Sequence, residues 1–128
     1  MAMMFEKHFS VEEANNLLPK LRRIFGKIGK IRESMGEKQE EITATVERAK
    51  GNGGGAKAAR YLGDMASLRH LIGEIEEIGV LIKDINRGLV DFPTLRDGKE
   101  VFLCWELGED SIRYWHDIES GYAGRKPI

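Results

Sequence analysis

From Leu17 onward, apolar residues return every three or four positions: Leu21, Ile24, Ile28, Ile31 and Met35, with Ile42, Val46 and Ala49 resuming the register. That spacing lines one face of a helix and gives the narrow seam of a coiled coil. Ser10-Val11-Glu12-Glu13 supplies the start. The Ser10 hydroxyl can accept from the Glu13 amide while the Glu13 side chain reaches back, a capping box. Phe9, just before the cap, is placed to pack on the first turn. Pro19 lacks a backbone donor and crowds the preceding turn, so a kink or break is expected near Leu18. Gly51-Asn52-Gly53-Gly54-Gly55 has no side chains to pack and marks a turn. A second seam follows through Leu62, Met65, Leu68, Ile72, Ile75, Gly79 and Ile82. Two helices on a short link predict an antiparallel helical hairpin over residues 10–87, with its Gly-rich tip at 51–55.

The seam widens away from the tip. Val11, Ala14, Leu18 and Phe25 broaden the first helix, and Leu71, Ile78, Leu81 and Ile85 the second. A helix apolar on more than one side must be covered twice, so the hairpin base is expected to pack on the rest of the chain. After Asn86-Arg87-Gly88 the period drops to two. "LVDFPTL" and "EVFLCWEL" flank Asp97-Gly98, a strong hairpin-turn signal. Pro93 cannot donate to a ladder, which favours an edge position for its strand. "SIRYWH" reads as a third strand, with a two-turn helix as the alternative, and the tail SGYAGRKPI reads as irregular. The expected fold is therefore mostly α with a small β unit (α+β), in one domain spanning 1–128. In it a long antiparallel helical hairpin precedes a short antiparallel sheet of two or three strands within 88–128.

Composition narrows the function classes. The net charge of −1 creates no field that would gather nucleic acid or anionic lipid. Arg48, Lys50, Lys57 and Arg60 make the tip mildly basic, as a solvated surface ordinarily is. The longest apolar runs are too short for a membrane span, and the N-terminus lacks a signal-peptide pattern. Cys104 is the only cysteine, which excludes an intrachain disulfide and points to a cytoplasmic setting. No CxxC, HExxH, GxGxxG or Walker-type lysine loop is present.

The candidate chemistry lies in "LCWELGEDSIRYWHD", residues 103–117, with Cys104, both tryptophans and His116. With turns at Asp97-Gly98 and at Gly108 to Asp110, alternation sorts the strands into two faces. Val90, Phe92, Val101, Leu103, Trp105 and Trp115 form a core face. Asp91, Phe102, Cys104, Glu106, Tyr114 and His116 share the other. A thiolate, an imidazole and carboxylates suit zinc or another borderline transition metal. Cys104, His116, Glu106 and Asp91 are the candidate ligands, with Tyr114 and His8 as neighbours. Tyr122 and Arg125 in the tail are candidate anion contacts. The plainer alternative is a half-exposed face where Cys104 packs as a small hydrophobe and His116 makes surface hydrogen bonds. A thiol nucleophile would need Cys104 beside His116, a pocket and an oxyanion donor, and it ranks below metal binding.

Two stretches, "HFSVEEANNLLPKL" and "GLVDFPTLRDGKEVFLCWELGEDSIRYWHDIESGYAGRKPI", resemble a bacterial family known as domain of unknown function 2203. The resemblance implies a complete, stand-alone protein and no particular activity, substrate or cofactor. The residues favour a small non-catalytic binding or self-associating protein, most simply a homodimer, with neither membrane nor nucleic acid as partner. The alternative is a metal-binding protein, extending to a small hydrolase, built on the face of Cys104 and His116.

Overall fold

The computed structural model describes residues 3–48 and 55–128, the side chains of 37–48 excepted. Helix α1 spans Val11–Arg48 and α2 spans Gly55–Ile78. Five strands follow: β1 Leu81–Asp84, β2 Leu89–Arg96, β3 Lys99–Glu106, β4 Tyr114–Asp117 and β5 Lys126–Pro127. The fold is α+β, two helices and a five-stranded antiparallel meander in the order β1-β2-β3-β4-β5. The chain divides into two compact units, one running to Phe25 and resuming at Ile75, the other Gly26–Glu74. Among the described residues no helix is long and apolar enough to cross a membrane.

Three expectations are corrected here. The sheet has five strands, not two or three. Residues 81–84, expected as helix within the 10–87 hairpin, form β1. The α2 ladder ends at Ile78 because Gly79 takes φ +99°, a left-handed conformation that stops a helix, with its amide on the Glu76 carbonyl. Pro19 does not break α1, which runs through it. It lies exposed in the third turn, and Asn15, whose carbonyl it leaves without its helical partner, is only half-buried. Tip residues 51–54, Lys50 and Ala49, and the side chains of Ile42, Val46 and Arg48, lie outside the described residues.

In the first unit the capping box is present. The Ser10 amide donates to Glu13 Oε1 and the Glu13 amide to Ser10 Oγ, both at 3.0 Å. Ala14, Leu18, Leu21 and Phe25 follow at spacings of four, three and four, and all are buried. The sheet face of Val90, Phe92, Leu103 and Trp105 meets this part of the chain. Phe9 packs edge-on against Phe92, Arg22 lies over Trp105, and Asn15 Oδ1 accepts from the Ile112 amide. Trp115, expected in the core, sits half-exposed at the margin between Arg96 and Lys126.

The Asp97-Gly98 turn is a two-residue hairpin with both φ positive, at 53° and 78°, which matches the right-handed twist of its strands. Pro93 lies on an interior strand, not an edge. Strand β1 pairs only with Leu89, Val90 and Asp91, so it stops short of Pro93. There the Phe9 amide donates to the Pro93 carbonyl at 2.7 Å. A residue's N and O point to the same side of an antiparallel strand, so the donor missing from Pro93 costs no bond to β3.

In the second unit Ile28 and Leu71 are buried, while Leu62 and Met65 of α2 are 63% and 38% exposed. An apolar groove of about 610 Å³ runs between Ile31 of α1 and Ala66 and Leu71 of α2.

Candidate metal centre

The strand register makes the site. Asp91 of β2 faces Cys104 of β3, and on the next strand Phe102 faces His116 and Cys104 faces Tyr114. Alternation therefore puts Asp91, Cys104 and His116 on one side of three adjacent strands, as the two-face reading expects. One ligand atom from each lies within 4.8 Å of the other two.

This face is buried, not half-exposed. Cys104 and His116 are 1% accessible and Asp91 is 2%. Segments from both ends of the chain cover it. Phe5 packs on Phe102 at 5.4 Å between ring centroids. The amides of Met4 and Phe5 and the ring of His8 all hold Glu100. On the other side Arg125 lies over Tyr114 and donates to the Cys104 carbonyl and to Glu109. Ile118, Gly121 and Tyr122, with Lys83 and Leu89, border a cavity of about 140 Å³ whose remaining wall is Asp91, Cys104 and His116.

Hydrogen bonding fixes the imidazole. His116 Nδ1 lies 2.7 Å from the Asp117 carbonyl, which only accepts, so Nδ1 carries a proton. Nε2 then faces Asp91 Oδ1 at 2.9 Å, with one proton in line between them. A backbone carbonyl on one nitrogen and an inward-facing second nitrogen is the usual support of a metal-bound histidine. For Cys104, burial first and then the charge of Asp91 push the thiol up to about 12, against the pull of the Arg125 guanidinium. Without a cation it is a neutral thiol at physiological pH. A nucleophile reading is poorly served: Nε2 is engaged by the carboxylate, and the carboxylate opposes thiolate formation. A divalent cation would reverse that balance, displacing the proton between Asp91 and His116 and the proton on the thiol.

The other sequence candidates lie elsewhere. Glu106 shares the face, but its carboxylate takes Arg87 at 2.5 Å and the Tyr122 hydroxyl at 3.4 Å. Tyr114 is under Arg125, and His8 is on Glu100. Arg125 is committed to Glu109, and Tyr122 borders the cavity. Sequence reasoning missed Lys83, hidden in an assumed helix, and Glu100, which ties down the N-terminal segment. The signal for Lys83 was Gly79 followed by Val80, Leu81 and Ile82, a glycine stop before a run rich in β-branched residues.

No curated protein and no solved structure matches the chain. A family model described as uncharacterized conserved protein (DUF2203) matches residues 7–128, and the chain belongs to that family.

Proposed function

We propose that the protein binds a divalent transition metal, zinc being the natural choice, through Asp91, Cys104 and His116. One observation carries this: three buried side chains of three ligand types, from three neighbouring strands, with ligand atoms no more than 4.8 Å apart. Zn–N near 2.0 Å and Zn–S near 2.3 Å set tetrahedral ligand atoms roughly 3.3 to 3.8 Å apart. The widest pair closes by about an ångström, within reach of side-chain rotation. Three protein ligands with a cavity alongside is the arrangement of open rather than structural zinc sites, which leaves room for hydrolytic chemistry. A reducing cytoplasm would keep Cys104 available as a ligand.

The test is elemental analysis of the chain purified without an affinity tag, followed by zinc titration of the chelator-treated protein. One equivalent is expected, and it should be lost in Cys104→Ser and in His116→Gln, with circular dichroism checking that both fold. Stoichiometric metal that survives both substitutions, or no uptake by the wild type, refutes the reading.

A second reading concerns the helices. The exposure of Leu62 and Met65 on α2 favours self-association, most simply a twofold dimer of antiparallel helical hairpins. Sedimentation at micromolar concentration is expected to give a dimer that Leu62→Glu converts to monomer. A monomeric wild type refutes it.

A further inference from the structure

We propose that the open side of the Asp91–Cys104–His116 centre takes a small anion, held against the ammonium group of Lys83. This rests on the metal reading and adds the class of ligand. Size sets the first bound. A cavity of about 140 Å³ matches four or five water molecules at roughly 30 Å³ each. A ligand of about three to five non-hydrogen atoms fits, whereas a sugar, a nucleotide or a peptide does not.

Charge sets the second bound. The Asp91 carboxylate and the Cys104 thiolate together cancel a divalent cation, so His116 leaves the centre neutral. Lys83 then adds one positive charge to the cavity wall. Among the described residues Lys83 contacts the Phe102 ring, at 5.1 Å from its centroid, and no carboxylate is paired with it. The acidic groups nearby have other partners. Glu106 holds Arg87, Asp117 holds Lys99 and Lys126, and Asp84 Oδ1 accepts from the amides of Asn86 and Arg87. Leu89, Ile118, Gly121 and Tyr122 complete the wall, and Lys83 is exposed, so its ammonium borders the cavity from the solvent side.

Backbone geometry supplies an independent observation. The β1–β2 pairing is irregular at Lys83: Ile82 faces Val90 and Asp84 faces Leu89, leaving Lys83 as the extra residue of a bulge. Bulges interrupt a ladder to re-aim a side chain, and they concentrate beside functional sites. Leu81 faces Asp91, so Lys83, two residues on and at this irregularity, falls on the same side of the sheet as Asp91, Cys104 and His116.

The experiment uses the full chain loaded with Co²⁺, titrated with sodium azide and sodium formate and read by visible absorption. The expected result is a thiolate-to-cobalt charge-transfer band, and d–d bands that shift saturably with either anion. Lys83→Met should keep the charge-transfer band but bind azide about tenfold more weakly, the scale of one charge-assisted contact. Lys83→Arg should recover most of that loss. Benzoate, too large for the cavity, should leave the spectrum unchanged. If the charge-transfer band forms but azide shifts nothing, or Lys83→Met binds azide like the wild type, the anion proposal is overturned and the metal reading stands. If no charge-transfer band forms, both fall.

Discussion

Asp91→Ala in the metal-free protein isolates the most consequential contact of the buried face. Asp91 and His116 are hydrogen-bonded at 2.9 Å with both side chains 2% exposed. Removing one member leaves the other buried without its partner, and because the adjoining cavity has room for water the loss should be about 1 to 3 kcal/mol. An exposed pair gives the contrast. Lys99 and Asp117 meet at 3.4 Å with the lysine 72% exposed, so Lys99→Ala should cost no more than about 1 kcal/mol. Urea unfolding in the presence of chelator, followed by circular dichroism, measures both. Adding zinc in about hundredfold excess over its Kd should stabilise the wild type by a further 2.7 kcal/mol or so. The same zinc should leave Asp91→Ala almost unmoved, so the gap between the two proteins widens with metal. If Asp91→Ala loses less than about 1 kcal/mol without metal, the pair does not hold the fold. A gap that zinc does not widen would place the metal elsewhere.

Cys104, buried and with its thiol pushed up to about 12, should react with a thiol reagent far more slowly in the native protein than in urea, and native-state labelling at the unfolded rate would contradict the covered face. Hydrogen bonds from His8 first, and then from the Met4 and Phe5 amides, hold the Glu100 carboxyl below its ordinary range. The stability it confers is therefore present above the carboxylate's unfolded pKa and lost as pH falls through the lower folded value. Thermal unfolding across acidic pH should show this loss in the wild type and a flatter profile in Glu100→Gln, with identical profiles refuting it. At Gly88, φ is +65° and an added Cβ would meet Leu107 Cβ at 2.6 Å, whereas Gly98, at φ +78°, has open space. Gly88→Ala should therefore destabilise clearly more than Gly98→Ala, which pays only about 1 kcal/mol of backbone strain. Equal losses by denaturation would show that the loop moves aside.

Local chemistry made part of this structure readable. Ser10 and Glu13 announce a cap because their side chains can satisfy each other's amides, and Asp97-Gly98 announces a hairpin because both residues tolerate positive φ. With that turn fixed, alternation alone brings Asp91, Cys104 and His116 to one face. The C-terminal end of α2 was not readable in the same way. Ile78, Leu81, Ile82 and Ile85 satisfy a helical period as well as a strand, and only the left-handed Gly79 separates the two. Alternation also says which side chains share a face, not what covers it. Residues 3–8 and 118–127 have no period of their own, and their placement over Phe102 and Cys104 depends on contacts such as Met4 to Glu100 and Arg125 to the Cys104 carbonyl. The edge assignment of Pro93 failed because an interior strand can still have one stretch without a neighbour.

The meander has a consequence for how the protein folds. Every strand pairs with its neighbour in sequence, so the loops that must close to build the sheet are short. The N-terminal attachments are of another kind: Asn15 reaches Ile112 across 97 residues, and Met4 reaches Glu100 across 96. Loop-closure entropy delays such contacts until the sheet offers a surface to receive them. Substitutions at strand positions such as Leu103 should therefore slow folding, while Asn15→Ala and Glu100→Gln should chiefly speed unfolding. In that order of events Asp91, Cys104 and His116 are aligned while their face is still open to solvent, and the N-terminal segment closes over it last.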